Sequence, residues 1–215
     1  FYCHWRNGHG EIDLQKAIEV SCNPFFIDLG LRVGGKRIAS MAREIGFSRA
    51  AQFTDDIKTQ SGTLPDDAEL SLDTAVANFS FGQGSLTATP IQVAQMICTV
   101  ANGGYAVTPR LVEGFTDDGK TYYEHTAAYA PSQVFSKRTS DILRECLVSN
   151  VEEGSGVKAK PSFGTAGGKT ASAQTGVYET PGEEDSEIVH AWFAGYFPAE
   201  TPKYAIVVLV EGGES

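Results

Sequence analysis

Gly167-Gly168-Lys169-Thr170-Ala171-Ser172-Ala173-Gln174-Thr175-Gly176 gathers a lysine and three hydroxyl side chains in ten residues bounded by glycine. Small and hydroxyl residues without helical spacing read as a strand, Lys169 to Thr175. It is entered from a Gly-, Ala- and Lys-rich loop over 154–168. Two further strand patterns follow, His190 to Phe197 and Tyr204 to Glu211, joined by the turn-forming run Pro198 to Lys203. The end of the chain therefore predicts an antiparallel sheet over about 165–215.

Upstream of about residue 150 the pattern changes to helical spacing. Asp13 is placed to cap a short helix through Val20. After Asn23-Pro24 comes an apolar segment, Phe25 to Leu31, broken at Gly34-Gly35. Ile38, Met41, Ala42 and Ile45 then repeat on one helical face until Gly46. Residues 48–75 read as loop, marked by Asp55-Asp56 and Pro65-Asp66-Asp67. Thr89-Pro90 is a strong helix start, and Ile91, Ala94, Cys98 and Ala101 predict its inward stripe. A last helix is predicted from Ser136 to Asn150, with Ile142, Leu143, Cys146 and Leu147 inward. Helices first and sheet last give an α+β domain over 1–215, an antiparallel sheet packed with helices, helical to about 150 and sheet from about 165.

Composition narrows the partners. The 215 residues carry a formal net charge of −10, with Lys and Arg too few and scattered for a nucleic-acid surface. No cofactor motif is present: in Gly-Gly-Lys-Thr the earlier glycine has the wrong spacing for a phosphate loop, and a strand follows it, not a helix. Cys3, Cys22, Cys98 and Cys146 include no C-x-x-C pair, so no metal site is expected, and Cys98 and Cys146 read as buried thiols. Trp5 and Trp192 read as core, and Glu183-Glu184-Asp185 as a solvated loop tip.

Chemistry rests on a pair of motifs far apart in the chain, Lys-Thr-Ala at 169–171 and Ser21-Cys22-Asn23 at a helix junction. Ser-x-Asn alone is more often a cap or turn. Together, and in order with Asn7-Gly-His-Gly10, Ala17 to Phe26, Phe81 to Gln92, Ala101-Asn-Gly-Gly104 and His190 to Ala199, they resemble the transpeptidase domain of class B penicillin-binding proteins over nearly the whole chain. The resemblance implies that Ser21 relays a proton to the leaving amine. Asn23 would bind a substrate amide and steady the catalytic lysine, and Lys169 would stabilise developing negative charge. Thr170 and Ser172 would hold a substrate carboxylate, with the Ser172 N–H as an oxyanion donor. It further implies β-lactams and stem peptides ending in D-Ala-D-Ala as ligands, cell-wall cross-linking at the outer face of a bacterial membrane, and division or sporulation proteins among the partners. A β-lactam sensor and a non-catalytic scaffold are the alternatives on the same fold.

The chain departs from the family pattern in two ways. Ala171 stands where the family usually has glycine. The nucleophilic Ser-x-x-Lys, placed well upstream of Ser-x-Asn in the family, has no room before Ser21. The one matching string, Ser155-Gly-Val-Lys158, is rejected because it lies between glycines in a loop, not at a helix start. The nucleophile is therefore expected to be absent from these residues, and the fold incomplete at both ends.

Overall fold

The computed structural model describes residues 3, 5, 7–54, 56–124, 132–180, 182–183 and 186–213. His4, His125 and the Glu184-Asp185 part of the acidic run lie outside them. α1 spans Leu14–Glu19, and the Asp13 carboxylate accepts from the Lys16 N–H at 2.8 Å, as its position predicts. α2 (Asn23–Val33) and α3 (Gly35–Ile45) are separated by Gly34 alone, at φ 89°. Only a residue without Cβ adopts that angle cheaply. Gly35 opens α3 instead of breaking it, pressed against Leu70 and Val76.

α4 (Asp73–Ser80) falls mostly past the stretch read as loop and begins inside it. Its N-cap, Leu72, offers no side-chain acceptor, so the sequence carries no start signal. Packing holds it instead: Val76 and Phe79 join Ala39 and Leu70 in a buried cluster flanked by Ile38, Leu64 and Leu86. Truncating Phe79 to Ala there costs about 3–5 kcal/mol.

α5 (Pro90–Ala101) starts in a full capping box between Thr89 and Gln92. Its buried residues are Gln92, Ile97, Thr99 and Val100, not the predicted apolar stripe, whose Cys98 is only half-buried. Gln92 is buried by hydrogen bonding: its amide donates to the Gly46, Arg49 and Ser61 carbonyls and accepts from the Thr89 N–H. Hydrophobic periodicity cannot find a polar hub of this kind. The same holds in α6 (Lys137–Glu153), where Ser140 and Asn150 point inward with Cys146 and Val151, while Ile142 is exposed. Ser140 is satisfied by the Val100 carbonyl at 2.6 Å, which pins α6 to α5.

A short ladder pairs β1 (Gly114–Phe115) with β2 (Tyr123–Glu124). The main sheet is antiparallel in the order β3 (Gly167–Tyr178), β4 (Glu187–Phe197), β5 (Tyr204–Val210), with Lys169 opposite Ala194 and Trp192 opposite Leu209. α5 and α6 cover one face, burying Ile97, Ala194, Tyr196 and Ala199 with Val93, Leu147, Val148 and Val207 around them. The other face of β5 exposes Tyr204, Ile206, Val208 and Val210. Trp5, expected in the core, is 59% exposed. Among the described residues no helix is long and apolar enough to cross a membrane. The consequence for function is that β3 is an edge strand, with its Lys169 side chain on the helix-covered face.

Candidate active site

Ser21 occupies the turn between α1 and α2, held by Ser21 N–H to Ile18 at 3.3 Å and Cys22 N–H to Ala17 at 2.9 Å. Its φ of 51° is left-handed, which costs a residue with a Cβ about 1–2 kcal/mol. Such strain concentrates at functional positions. The turn aims the hydroxyl at β3, where the Lys169 ammonium donates to the Ser21 Oγ. The two motifs thus meet in space, as the sequence pairing requires.

The same ammonium donates to Ser155 Oγ at 2.9 Å and to the Thr170 carbonyl at 2.9 Å, and the two serine hydroxyls stand 3.3 Å apart. Ser155 does lie in the loop after α6, as read, but the sequence weighed it only as a nucleophile and missed it as a member of the site. Its one sequence signal is a serine between two glycines at a helix end. The structure shows why the first glycine is there. A Cβ on Gly154 would lie 2.8 Å from the Glu19 backbone and 2.7 Å from Asn150 Oδ1. That close approach lets the Ser155 N–H bond the Glu19 carbonyl at 2.8 Å, tying the loop to the end of α1.

Two buried polar residues that the sequence did not reveal brace this cluster. Asn150 is fully buried; its Nδ2 donates to the Gly168 carbonyl at 2.8 Å and its Oδ1 accepts from Ser155 Oγ at 3.0 Å. The buried Glu19 carboxylate accepts from the Ser149 hydroxyl, from Lys16 Nζ at 2.9 Å and from Gln15 Nε2 at 3.1 Å. Those donors, Ser149 foremost, hold its pKa down to about 2.

The free edge of β3 is regular. The outward carbonyls of Gly168, Thr170 and Ser172 accept from Asn150, Lys169 and Gln83, the last at 3.1 Å. In a strand the N–H and C=O of one residue point the same way, so the Ser172 N–H also faces this open edge. Burial lowers the Lys169 pKa to about 8. The group is still mostly charged at neutral pH, and it makes no ion pair among the described residues. Asn23 opens α2 half-buried, and neither its amide nor the Thr170 hydroxyl has a hydrogen bond among the described residues. Strand alternation puts Ala171 on the same face as Lys169 and opposite to Thr170 and Ser172, where the residue is exposed.

Beside the cluster, Cys3, His9 and Cys22 bring their ligand atoms within 4.8 Å of one another. The sequence argued against a metal site because no short motif is present. These donors lie 6 and 13 positions apart and meet only through the fold.

Helices leading into an antiparallel sheet, with the polar groups gathered on the sheet's free edge, give the fold of the penicillin-binding and β-lactamase-like serine acyltransferases. The penicillin-binding protein transpeptidase domain model matches residues 2–215, and the chain belongs to that family. It is 30% identical over 204 residues to the peptidoglycan D,D-transpeptidase PbpA of Mycobacterium tuberculosis, covering 94% of this chain and 39% of that protein. It is 31% identical over 210 residues to stage V sporulation protein D of Bacillus subtilis, covering 97% of this chain and 32% of the relative. The chain thus spans 32–39% of the length of these relatives. The structure of penicillin-binding protein A from M. tuberculosis in an imipenem acyl-enzyme complex superposes with a TM-score of 0.81 at 28% identity, covering 97% of this chain and 45% of that one.

Proposed function

We propose that this chain supplies the proton-relay and substrate-edge half of a peptidoglycan D,D-transpeptidase site that β-lactams also acylate. The observation that carries the reading is the Lys169 ammonium, desolvated and clamped between the Ser21 and Ser155 hydroxyls. Charge in that position lowers the cost of developing negative charge and passes a proton through Ser21 to the leaving amine of a stem peptide ending in D-Ala-D-Ala. The substrate pairs with the open edge of β3. Thr170 and Ser172 hold its carboxylate, the outward Ser172 N–H supports the oxyanion, and the Asn23 amide meets the side-chain amide. Loss of one such oxyanion donor costs about 2.7–4 kcal/mol of barrier. An extended ligand on this edge needs the Ser172 carbonyl and displaces Gln83 from it.

Neither hydroxyl of the cluster is the nucleophile in this reading. Ser21 is followed three positions on by Pro24, and Ser155 sits in a loop and not at the start of an α-helix. The acylated serine then comes from outside residues 1–215. The likeness to stage V sporulation protein D favours a role in sporulation, and the family resemblance implies work at the outer face of a bacterial membrane.

Labelled penicillin and the full-length protein test this directly. The label is expected on a serine outside residues 1–215, with acylation slowed at least about a hundredfold in Lys169→Ala, by analogy with loss of an electrostatic donor. A covalent label on residues 1–215 alone overturns the assignment of the nucleophile. Unchanged acylation in Lys169→Ala overturns the role of the cluster.

A further inference from the structure

We infer that Cys3, His9 and Cys22 form a zinc site that locks the Ser21 turn. Three observations, none of them dependent on the acyl-transfer reading, point to it. The first is convergence: the two thiols and the imidazole lie within 4.8 Å of one another, and Cys3 Sγ stands 3.2 Å from His9 Nδ1. A tetrahedral zinc with Zn–S near 2.3 Å and Zn–N near 2.0–2.1 Å separates its ligand atoms by roughly 3.5–3.8 Å, so sub-ångström adjustments close the shell.

The second is the place of Cys22. It is the N-cap of α2, where Ser, Thr, Asn and Asp are preferred because they accept from the helix N–H groups. Its thiol makes no cap bond and lies buried facing Cys3 and His9. The helix forgoes a capping side chain at the one position where sulfur reaches the other two donors.

The third is the backbone around His9. Gly8 at φ 67° and Gly10 at φ 69° flank it, and the Gly8 N–H closes a turn onto the Trp5 carbonyl at 2.9 Å. This turn presents the imidazole to the start of α2. Among the described residues neither glycine has a neighbour that a Cβ would strike, so their left-handed backbone favours glycine there.

Two thiolates and an imidazole suit zinc over the hard cations, which take oxygen. Three protein donors leave the fourth position to solvent or an external ligand. Since Cys22 sits between Ser21 and Asn23, the ion would join the segment before α1 to the α1–α2 junction and hold Ser21 in its left-handed conformation. Both thiols lose their protons on binding, so affinity falls as pH drops.

The full-length protein, purified reduced and without chelator, is assayed for zinc by mass spectrometry and for cobalt by absorption. The expected result is about one zinc per chain, and sulfur-to-cobalt charge-transfer bands after exchange. Cys3→Ser, Cys22→Ser and His9→Ala should each lose the zinc, whereas Cys98→Ser keeps it. Chelation should lower Tm in the parent and leave Cys3→Ser unmoved. Absence of zinc and cobalt binding by the reduced protein overturns the proposal, and so does zinc retained in Cys3→Ser and His9→Ala. A Cys3–Cys22 disulfide, read as a mass two daltons lighter in the metal-free native protein, also overturns it. The last two variants keep the test decisive if Cys22→Ser does not fold, and none of these readouts depends on acylation.

Discussion

Replacing Asn150 with alanine removes the bracket between α6, β3 and the Ser155 loop. The side chain is fully buried and makes two directed bonds, to the Gly168 carbonyl and from the Ser155 hydroxyl. Losing them forfeits about 1 kcal/mol each in net terms. The larger cost comes from what is left behind: Gly168 is buried, and its outward carbonyl would stand unpaired, adding about 1–3 kcal/mol. The sum is about 3–5 kcal/mol, which for a chain of this size lowers Tm by roughly 6–20 °C. Urea unfolding of the parent and Asn150→Ala measures it, with an unchanged m-value showing that the difference lies in stability. Asn150→Asp separates the two bonds: it keeps an acceptor for Ser155 but sets a carboxylate against the Gly168 carbonyl, so it should be no more stable than the alanine variant. An Asn150→Ala protein within about 0.5 kcal/mol of the parent would refute the bracket, because an orphaned buried carbonyl cannot be that cheap.

Four other outcomes are expected. Lys169 titrates near 8 in the folded protein against an ordinary 10.5, so the unfolded chain binds more protons between those values. Stability should therefore rise as pH goes from 8 to 10.5, by about 1–2 kcal/mol after solvent screening at this half-buried site, and Lys169→Met should abolish the rise in pH-dependent denaturation. The depressed Glu19 carboxylate contributes stability above its unfolded pKa near 4.5 that is lost as pH falls toward about 2; Glu19→Gln should flatten that acid limb. Gln92→Ala leaves the carbonyl of buried Gly46, and those of Arg49 and Ser61, without their donor and should cost about 2–4 kcal/mol by denaturant unfolding. Ala171→Gly removes a methyl on the Lys169 face and should speed acylation of the full-length protein by bulky β-lactams; an unchanged or slower rate would show that the methyl does not narrow the cleft.

How much of this was legible in the sequence follows from what kind of interaction fixes each part. Asp13, Thr89 and Ser136 announce their helices because a cap is a local bond between residues three apart. The three strands of the sheet were readable, although β3 begins at Gly167 and runs to Tyr178. α4 was not, since Leu72 gives no cap and the helix exists by burying Val76 and Phe79 against α3. The inward faces of α5 and α6 were misread wherever Gln92, Ser140 or Asn150 is buried through bonds to distant carbonyls.

The sequence by itself determined the α+β order, the family, and the pairing of Ser21 with Lys169, because motif identity and local periodicity reside in neighbouring residues. Only the tertiary structure decided that Ser155 joins that pair, that Asn150 and Glu19 brace the site, and that Cys3 and His9 converge on Cys22. Each of these depends on which elements pack together and which edge of β3 is left unpaired. Long-range burial and hydrogen bonding settle those matters, and they leave no periodic trace along the chain.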